Sequence, residues 1–293
     1  MHEKEIVSSA LLYRDQTDLK NFLKEQRRTA PPDCSWLVLI HTCCHSPASA
    51  VAIAQHVKEV LPDAAVLGTS AAAVIHHGSI YTDQCLLHIT RFRGHVRKFS
   101  GFPWTAKHRR AGRRSRRELP RRQPCPVCIF TDQYMHMQPF LQHLEQLRQH
   151  IPAAGGMISA NTFGAFSFDE SGVYPHNAVF AVLCGTTLRT WSGVVQGQEA
   201  FGETYTITKT EQDSILEVDH QPASQWFQQK LEEICHTKPC PICSELLMRF
   251  PLALQQVGTQ SQFLSYSEPQ NRIQTYSNWL PAGTRFRMAY LSL

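Results

Sequence analysis

The stretch from Trp191 to Leu231 constrains the fold most, because it predicts a strand, a second strand and a helix in direct succession. Its glycines Gly197 and Gly202 bracket a predicted turn. After this turn, Tyr205 and Ile207 supply the aromatic and β-branched side chains that favour a strand. We therefore predict a first strand through this part of the chain.

A second short strand is predicted over residues 215–218, with Glu217 at its end. A helix is predicted to begin near Pro222, because proline is favoured in the first turn of a helix, and Asp219 is the predicted cap. The buried face of this helix is predicted from four apolar residues at helical spacing: Trp226, Phe227, Leu231 and Ile234.

This stretch resembles the FIST family, an intracellular sensory domain. His220 departs from the family pattern, which usually has Gly at that place. The resemblance extends over most of residues 35–290, and MRFPLAL and WLPAGTRFRMAYLSL resemble the beginning of the family's C-terminal domain. The central motif positions that match are Gln196, Gly197, Gly202, Thr208, Ile215, Glu217, Asp219, Pro222 and Ala223.

Two further segments predict strand–helix–strand units, which favour parallel pairing of their strands. We therefore predict an α/β fold of the mixed kind, with mixed sheets and helices packed on their faces. The first unit comprises a strand over Trp36–Ile40, a helix over Pro47–Leu61 and a strand at Val66–Gly68. The second comprises a strand over Val127–Phe130, a helix over 140–151 and a strand within 152–158.

The remaining elements follow from local patterns. Asp15 is the predicted cap of an N-terminal helix that ends before Pro31. Residues 79–99 predict an antiparallel pair of strands with a turn near Gly94, and Val179–Leu183 predicts another strand. We expect an N-terminal helix and leader over 1–34, a FIST N-type domain over 35–215, and the incomplete start of a FIST C-type region over 216–293.

The resemblance implies a non-enzymatic domain that binds a small ligand and relays a conformational signal. The expected bacterial output is a diguanylate cyclase, a histidine kinase or a chemoreceptor. Ala72 and Val74 replace a usual Gly and Glu, and Asn161 stands near a usual acid. The residues expected to line the ligand site lie at strand ends: Gly68, Thr69, Ser70, Gly155, Gly156, Asn161, Gln196 and Gly197.

Catalytic motifs are absent from the sequence, which has no phosphate loop, no GxSxG and no HExxH. Cys43 and Cys44 lie between His41 and His45, but their place at the end of an apolar strand favours packed thiols over a nucleophile. We therefore expect no enzyme.

Two Cys-Pro-x-Cys pairs, Cys125 with Cys128 and Cys240 with Cys243, have the two-residue gap of a zinc site. Among the interpretations of these cysteine pairs, packed thiols rank first, a zinc site second and redox switching third. A Cys-Pro thiolate or a histidine also allows a haem-linked nitric oxide sensor, with His176, His41 and His88 as candidate axial ligands. No cofactor is expected, and zinc and haem remain the alternatives.

A basic run over 107–122 contains nine Lys and Arg and one acid, Glu118. Outside it, acidic residues outnumber basic ones, so the net charge of +5 is local. A solvated loop is the first interpretation, and an interaction scaffold for an acidic partner is the alternative. Nucleic acid is not the expected partner, because no base-reading module is visible.

The chain has no run of about 20 apolar residues, the length that a membrane helix needs. The start, MHEKEIVSSALLYRD, lacks the basic segment and apolar core of a signal peptide. We therefore expect a cytoplasmic protein whose ten cysteines stay reduced.

Overall fold

The computed structural model describes residues 6–102, 127–132, 153–174, 177–184, 197–211, 214–236, 249–254, 262–264, 266–267, 272–275 and 280–291. The chain divides into two compact units, Met1–Ser192 and Gly193–Leu293. Helices and mixed sheets are both present, which confirms the predicted α/β class. None of the helices in these ranges is long and apolar enough to cross a membrane.

A six-stranded sheet forms the first layer of the first unit. From one edge to the other, its strands are β1 (Ile6–Leu12), β6 (Cys85–Arg93), β2 (Cys34–Thr42), β3 (Ala65–Ser70), β10 (Ser167–Asp169) and β11 (Gly172–Tyr174). Strands β2 and β3 run parallel and are joined through α2, as the first strand–helix–strand pattern predicts. In chain order, the elements from the N-terminus to residue 93 are β1 (Ile6–Leu12), α1 (Gln16–Arg28), β2 (Cys34–Thr42), α2 (Pro47–Val60), β3 (Ala65–Ser70), β4 (Val74–His76), β5 (Ser79–Tyr81) and β6 (Cys85–Arg93).

The two helices cover one face of this sheet. The carboxylate of Asp15 accepts the backbone N–H of Asp18 at 2.8 Å, so the predicted cap of α1 is confirmed. Leu19 and Leu23 of α1 are fully buried against the sheet, together with apolar residues of α2 such as Ile53. Burial of this apolar face is the main force that holds the helices in place.

A four-stranded sheet, in the order β7-β12-β8-β9, packs on the other face. Leu37 and Leu67 of the first sheet are buried with Val179 and Ala181 of the second. The strands β8 and β9 pair in parallel, as the second strand–helix–strand pattern predicts, whereas its helix lies outside the described residues. The elements are β7 (His95–Phe102), β8 (Val127–Asp132), β9 (Ala153–Ile158), β10 (Ser167–Asp169), β11 (Gly172–Tyr174) and β12 (Ala178–Cys184).

One prediction for the first unit is wrong. The strands β6 and β7 flank Gly94 but do not pair with each other, because β6 lies between β1 and β2 whereas β7 pairs with β12. The chain therefore passes from one sheet to the other at this glycine. The N-terminal leader contains β1, whose residues Ile6–Leu12 form the edge of the six-stranded sheet.

The described part of the second unit is one large sheet covered by a helix. Its strand order is β17-β16-β20-β13-β14-β19-β18, with β15 paired to β14. The helix α3 packs Trp226, Phe227 and Leu231 against the sheet, which confirms the predicted aromatic face. The elements are β13 (Gln198–Glu211), β14 (Ser214–Val218), β15 (Gln221–Pro222), α3 (Ala223–Cys235), β16 (Leu252–Leu254), β17 (Gln262–Leu264), β18 (Tyr266–Ser267), β19 (Ile273–Thr275) and β20 (Arg285–Leu291).

Two local predictions for this unit are corrected. Gly202 does not close a turn: it lies inside β13 at a φ of +69°, where the register with β20 shifts between Phe201 and Tyr205. Asp219 does not cap α3, because its carboxylate accepts the backbone N–H of Thr206 at 2.9 Å. Strands β13 and β14 pair as an antiparallel hairpin within the second unit.

Candidate functional site

Three segments of the first unit meet at one edge of its sheets. Two of them follow β2 and β3, whose carboxyl ends lie side by side because these strands are parallel. The third leaves β9 in the second sheet and crosses to β10 in the first. We call the three segments, residues 42–46, 69–73 and 159–166, the strand-end site. Crevices at the carboxyl ends of parallel strands are common ligand sites in α/β proteins.

Ser70 holds both ends of the crossing segment 159–166. Its hydroxyl donates to the carbonyl oxygen of Ser159 at 2.8 Å and accepts the N–H of Phe166 at 3.0 Å. Its own N–H donates to the carbonyl of Phe166 at 2.9 Å. Because Ser70 is almost completely buried, these bonds are shielded from water. The serine predicted at the site therefore fixes the shape of the segment that passes over it.

Asn161 joins the crossing segment to the loop after β2. Its side-chain N–H₂ group donates to the carbonyls of Thr42 and His45 at 3.3 and 3.2 Å. Its side-chain oxygen accepts the N–H of Phe163 at 2.7 Å. The amide thus serves as a donor on one side and an acceptor on the other, which an aspartate carboxylate cannot do.

Thr69 and His41 lie side by side on β3 and β2. The Oγ1 of Thr69 and the Nδ1 of His41 are 2.8 Å apart and share a hydrogen bond. Burial lowers the pKa of His41, and the neighbouring His88 lowers it further. The ring therefore remains neutral at pH 7 and is available as a hydrogen-bonding group.

Gly68 makes room for the ring of Phe168. A Cβ atom at Gly68 would lie 2.2 Å from the end of that ring, and Phe168 is completely buried. Packing against the neighbouring strand β10 therefore accounts for this glycine.

The other predicted site residues lie apart from this group. Gly155 and Gly156 are exposed on β9, opposite Ile129 and Phe130 of β8. Gly197 is exposed at the start of the second unit, whereas Gln196 lies outside the described residues. Four predicted residues, Gly68, Thr69, Ser70 and Asn161, are thus brought together within the first unit.

The loop after β2 adds residues that sequence reasoning set aside. The Nδ1 of His45 is 2.9 Å from the Oγ1 of Thr42 and 3.3 Å from the Sγ of Cys44. The ring of Tyr13 packs edge-on against His45, with 5.6 Å between the centroids. For Cys44 and His45, the position directly after the apolar strand β2 is the signal that could have identified them.

The strand-end site is electrically neutral. Its three segments contain no Asp, Glu, Lys or Arg. Burial lowers the pKa of His45, so this imidazole is uncharged at pH 7. Burial raises the pKa of the Cys43 and Cys44 thiols, and the charge of Asp83 raises both further. The groups at this site are therefore suited to hydrogen bonding and apolar contact rather than to ion pairing.

Of the alternative metal and haem residues, the structure describes only Cys128, His41 and His88. Cys125, Cys240, Cys243 and His176 lie outside the described residues, as does the basic run 107–122. The backbone of Cys128 pairs with Ala154 and Ala181 inside the second sheet. His88 lies opposite Leu39 on the strand next to that of His41. In the part of the chain that the structure describes, no three potential metal ligands form a group.

Comparison with known proteins identifies the family. The FIST N domain matches residues 37–221, a range that begins in β2 and ends in β15. No curated protein matches the chain. The match covers more than half of the sequence and includes all three segments of the strand-end site. The chain therefore belongs to the FIST family, a family of sensory domains.

Proposed function

We propose that this protein is a non-enzymatic sensory module that binds a small ligand at the strand-end site and relays the binding to a signalling partner. One observation carries the proposal: Ser70 and Asn161 tie a segment that crosses between two sheets to the ends of two parallel strands. A site of this kind is formed before the ligand arrives, which lowers the entropy lost on binding.

The exposed rim of the site supports ligand binding. The crossing segment 159–166, whose ends Ser70 holds, presents Phe163 with 55% of its surface exposed. Ser159, Ala72 and Cys44 are also exposed. Since the lining carries no formal charge at pH 7, the complementary ligand is an uncharged polar or aromatic compound.

The chemistry of the loop after β2 argues against catalysis. A cysteine nucleophile needs a lowered thiol pKa or an adjacent base that accepts its proton. The pKa of Cys44 is raised instead, mainly because the protein partly desolvates this otherwise exposed thiol, and the charge of Asp83 raises it further. The lowered pKa of His45 makes this imidazole a weak proton acceptor. The Cys44–His45 contact is therefore a hydrogen bond between neutral groups.

The crossing segment supplies a route for the signal. A ligand shifts a conformational equilibrium only if it binds one arrangement more tightly than the other. Residues 159–166 connect the second sheet to the first, so a ligand that rests on them affects the position of β10. We propose that the readout is a cytoplasmic output protein or domain, such as a diguanylate cyclase, a histidine kinase or a chemoreceptor.

The test is a thermal-shift screen with amino acids, nucleosides and small aromatic metabolites, followed by calorimetric titration of each compound that raises the melting temperature. Asn161→Asp is expected to weaken binding at least about tenfold, because the carboxylate cannot donate to the carbonyls of Thr42 and His45. Asn21→Asp, at an exposed position on α1, is the matched control and is expected to bind like the wild type. Equal affinities in all three proteins would contradict the proposed site.

A further inference from the structure

The β4–β5 hairpin presents the two most exposed large apolar side chains in the described part of the chain. Ile75 is 68% exposed and Ile80 is 70% exposed. They lie directly opposite each other across the hairpin, so both side chains are on the same face. Side chains of this size are seldom left in water as a contiguous pair unless they form a contact surface.

The hairpin is regular, and its exposure is not a consequence of irregular backbone. Its three residue pairs are in register, from Val74 with Tyr81 to His76 with Ser79. The turn residues His77 and Gly78 have φ values of +49° and +79°, as the tight turns of twisted hairpins require. Among the described strands, none pairs with β4 or β5 from outside. Val74 is buried, so the base of the hairpin is anchored to the protein, whereas Ile75 and Ile80 face solvent.

The charge pattern identifies the kind of partner. Residues 70–81 contain no Asp, Glu, Lys or Arg, whereas charged residues make up 18% of the whole chain. Two copies of this surface can therefore meet without burying a charge and without placing like charges opposite each other. A charged partner would find no ion-pairing group on the hairpin itself.

We propose that the exposed face of the β4–β5 hairpin is a self-association surface whose occupant is the same hairpin of a second copy of this chain. A two-fold axis through the contact places Ile75 against the partner's Ile80, and Ile80 against the partner's Ile75. Such an isologous contact is closed, so it produces a dimer rather than a fibre. Because the face is small, the dimer belongs to the weak class with a micromolar dissociation constant.

Sedimentation velocity over protein concentrations from about 1 µM to about 1 mM tests this proposal. The wild-type chain is expected to pass from the 33.3 kDa monomer to a species of twice that mass. Ile75→Ser combined with Ile80→Ser is expected to raise the dissociation constant at least about tenfold. Ile6→Ser is the matched control, because Ile6 is also exposed but lies on β1, and it is expected to dimerise like the wild type.

Amide hydrogen exchange distinguishes this interface from a dimer formed elsewhere. Exchange of residues 74–81 is expected to slow as the concentration rises through the transition, and to remain fast in the double variant. A single monomeric species at every concentration would overturn the proposal. A dimer that forms equally well in the double variant would overturn it too, because association would then use another surface.

Discussion

The hydroxyl of Ser70 donates a hydrogen bond to the carbonyl of Ser159 across 2.8 Å, and this bond joins the ends of strands that belong to different sheets. Ser70 ends β3 in the first sheet, and Ser159 directly follows β9 in the second. The same hydroxyl accepts the N–H of Phe166, where the chain enters β10. One buried side chain thus links both sheets at the strand-end site.

Replacing Ser70 with alanine is expected to destabilise the protein. The change leaves the carbonyl of Ser159 and the N–H of Phe166 without their partner, and an unsatisfied buried group costs about 1–3 kcal/mol. Urea unfolding at pH 7 is the measurement. The exposed Ser79→Ala change should stay within about 0.5 kcal/mol of the wild type. If both variants unfolded at the wild-type midpoint, Ser70 would not hold the two sheets together.

Gly68→Ala is expected to lower the unfolding free energy by about 1–3 kcal/mol, because the new Cβ would overlap the ring of Phe168. The control is Gly156→Ala, since a Cβ there meets nothing within 4 Å. Combining Gly68→Ala with Phe168→Leu should recover part of the loss, because the smaller side chain withdraws from the contact. Strictly additive losses in the double variant would show that the two positions do not compete for space.

His220→Gly is expected to stabilise the second unit by about 0.5–1 kcal/mol, because His220 has a φ of +64° and glycine adopts this conformation without strain. The backbone N–H of residue 220, which donates to the Oγ1 of Thr208, is retained in the variant. His76→Gly is the contrasting change, since His76 lies in a strand, and it should be destabilising. Thermal unfolding of both variants measures the difference, and a lower melting temperature for His220→Gly would contradict it.

The stability of the first unit is expected to fall as the pH drops from about 7.5 to about 5.5. Burial lowers the pKa values of His41 and His45 in the folded protein. The unfolded chain then binds more protons than the folded one once the pH falls below the ordinary histidine pKa, so acid favours unfolding. Urea midpoints across this range measure the effect.

His41 and His45, the two half-buried histidines with lowered pKa values, can be tested separately from the others. His41→Asn combined with His45→Asn should flatten this pH dependence, whereas the exposed His95→Asn should leave it unchanged. A double variant with the full acid sensitivity of the wild type would assign the effect to other groups.

Metal analysis and an ultraviolet–visible spectrum test the cysteine alternatives. We expect protein purified without added metal or haem to contain no stoichiometric zinc and to show no Soret band, because packed thiols rank first for Cys125, Cys128, Cys240 and Cys243. Stoichiometric zinc that disappears in Cys125→Ser and in Cys240→Ser would instead establish a shared zinc site.

Much of the fold could be predicted from local patterns, whereas pairing between distant segments could not. The cap at Asp15 and the apolar faces of α2 and α3 are encoded within a few residues, and they appear where expected. The strands β6 and β7 look like a hairpin because they adjoin at Gly94, yet each finds its partners elsewhere. Nothing local distinguishes these outcomes, since the choice depends on which sheet each apolar face completes.

At the candidate site too, the residues could be predicted from local patterns, whereas their contacts with distant residues could not. Ser70 and Asn161 could be singled out as strand-end residues of a FIST-like sequence. Their contacts with Ser159 and Thr42 required the structure, because the partners lie 89 and 119 residues away along the chain. The positive φ of His220 could be predicted, because the FIST pattern usually has glycine at that place and glycine adopts positive φ without strain.

Amide hydrogen exchange with and without a compound that raises the melting temperature tests the central claim most directly. We expect slowed exchange to concentrate in residues 42–46, 69–73 and 159–166, and Asn161→Asp to abolish it at the same compound concentration. Protection confined to the second unit, with these three segments unchanged, would contradict the assignment of the strand-end site as the sensing site.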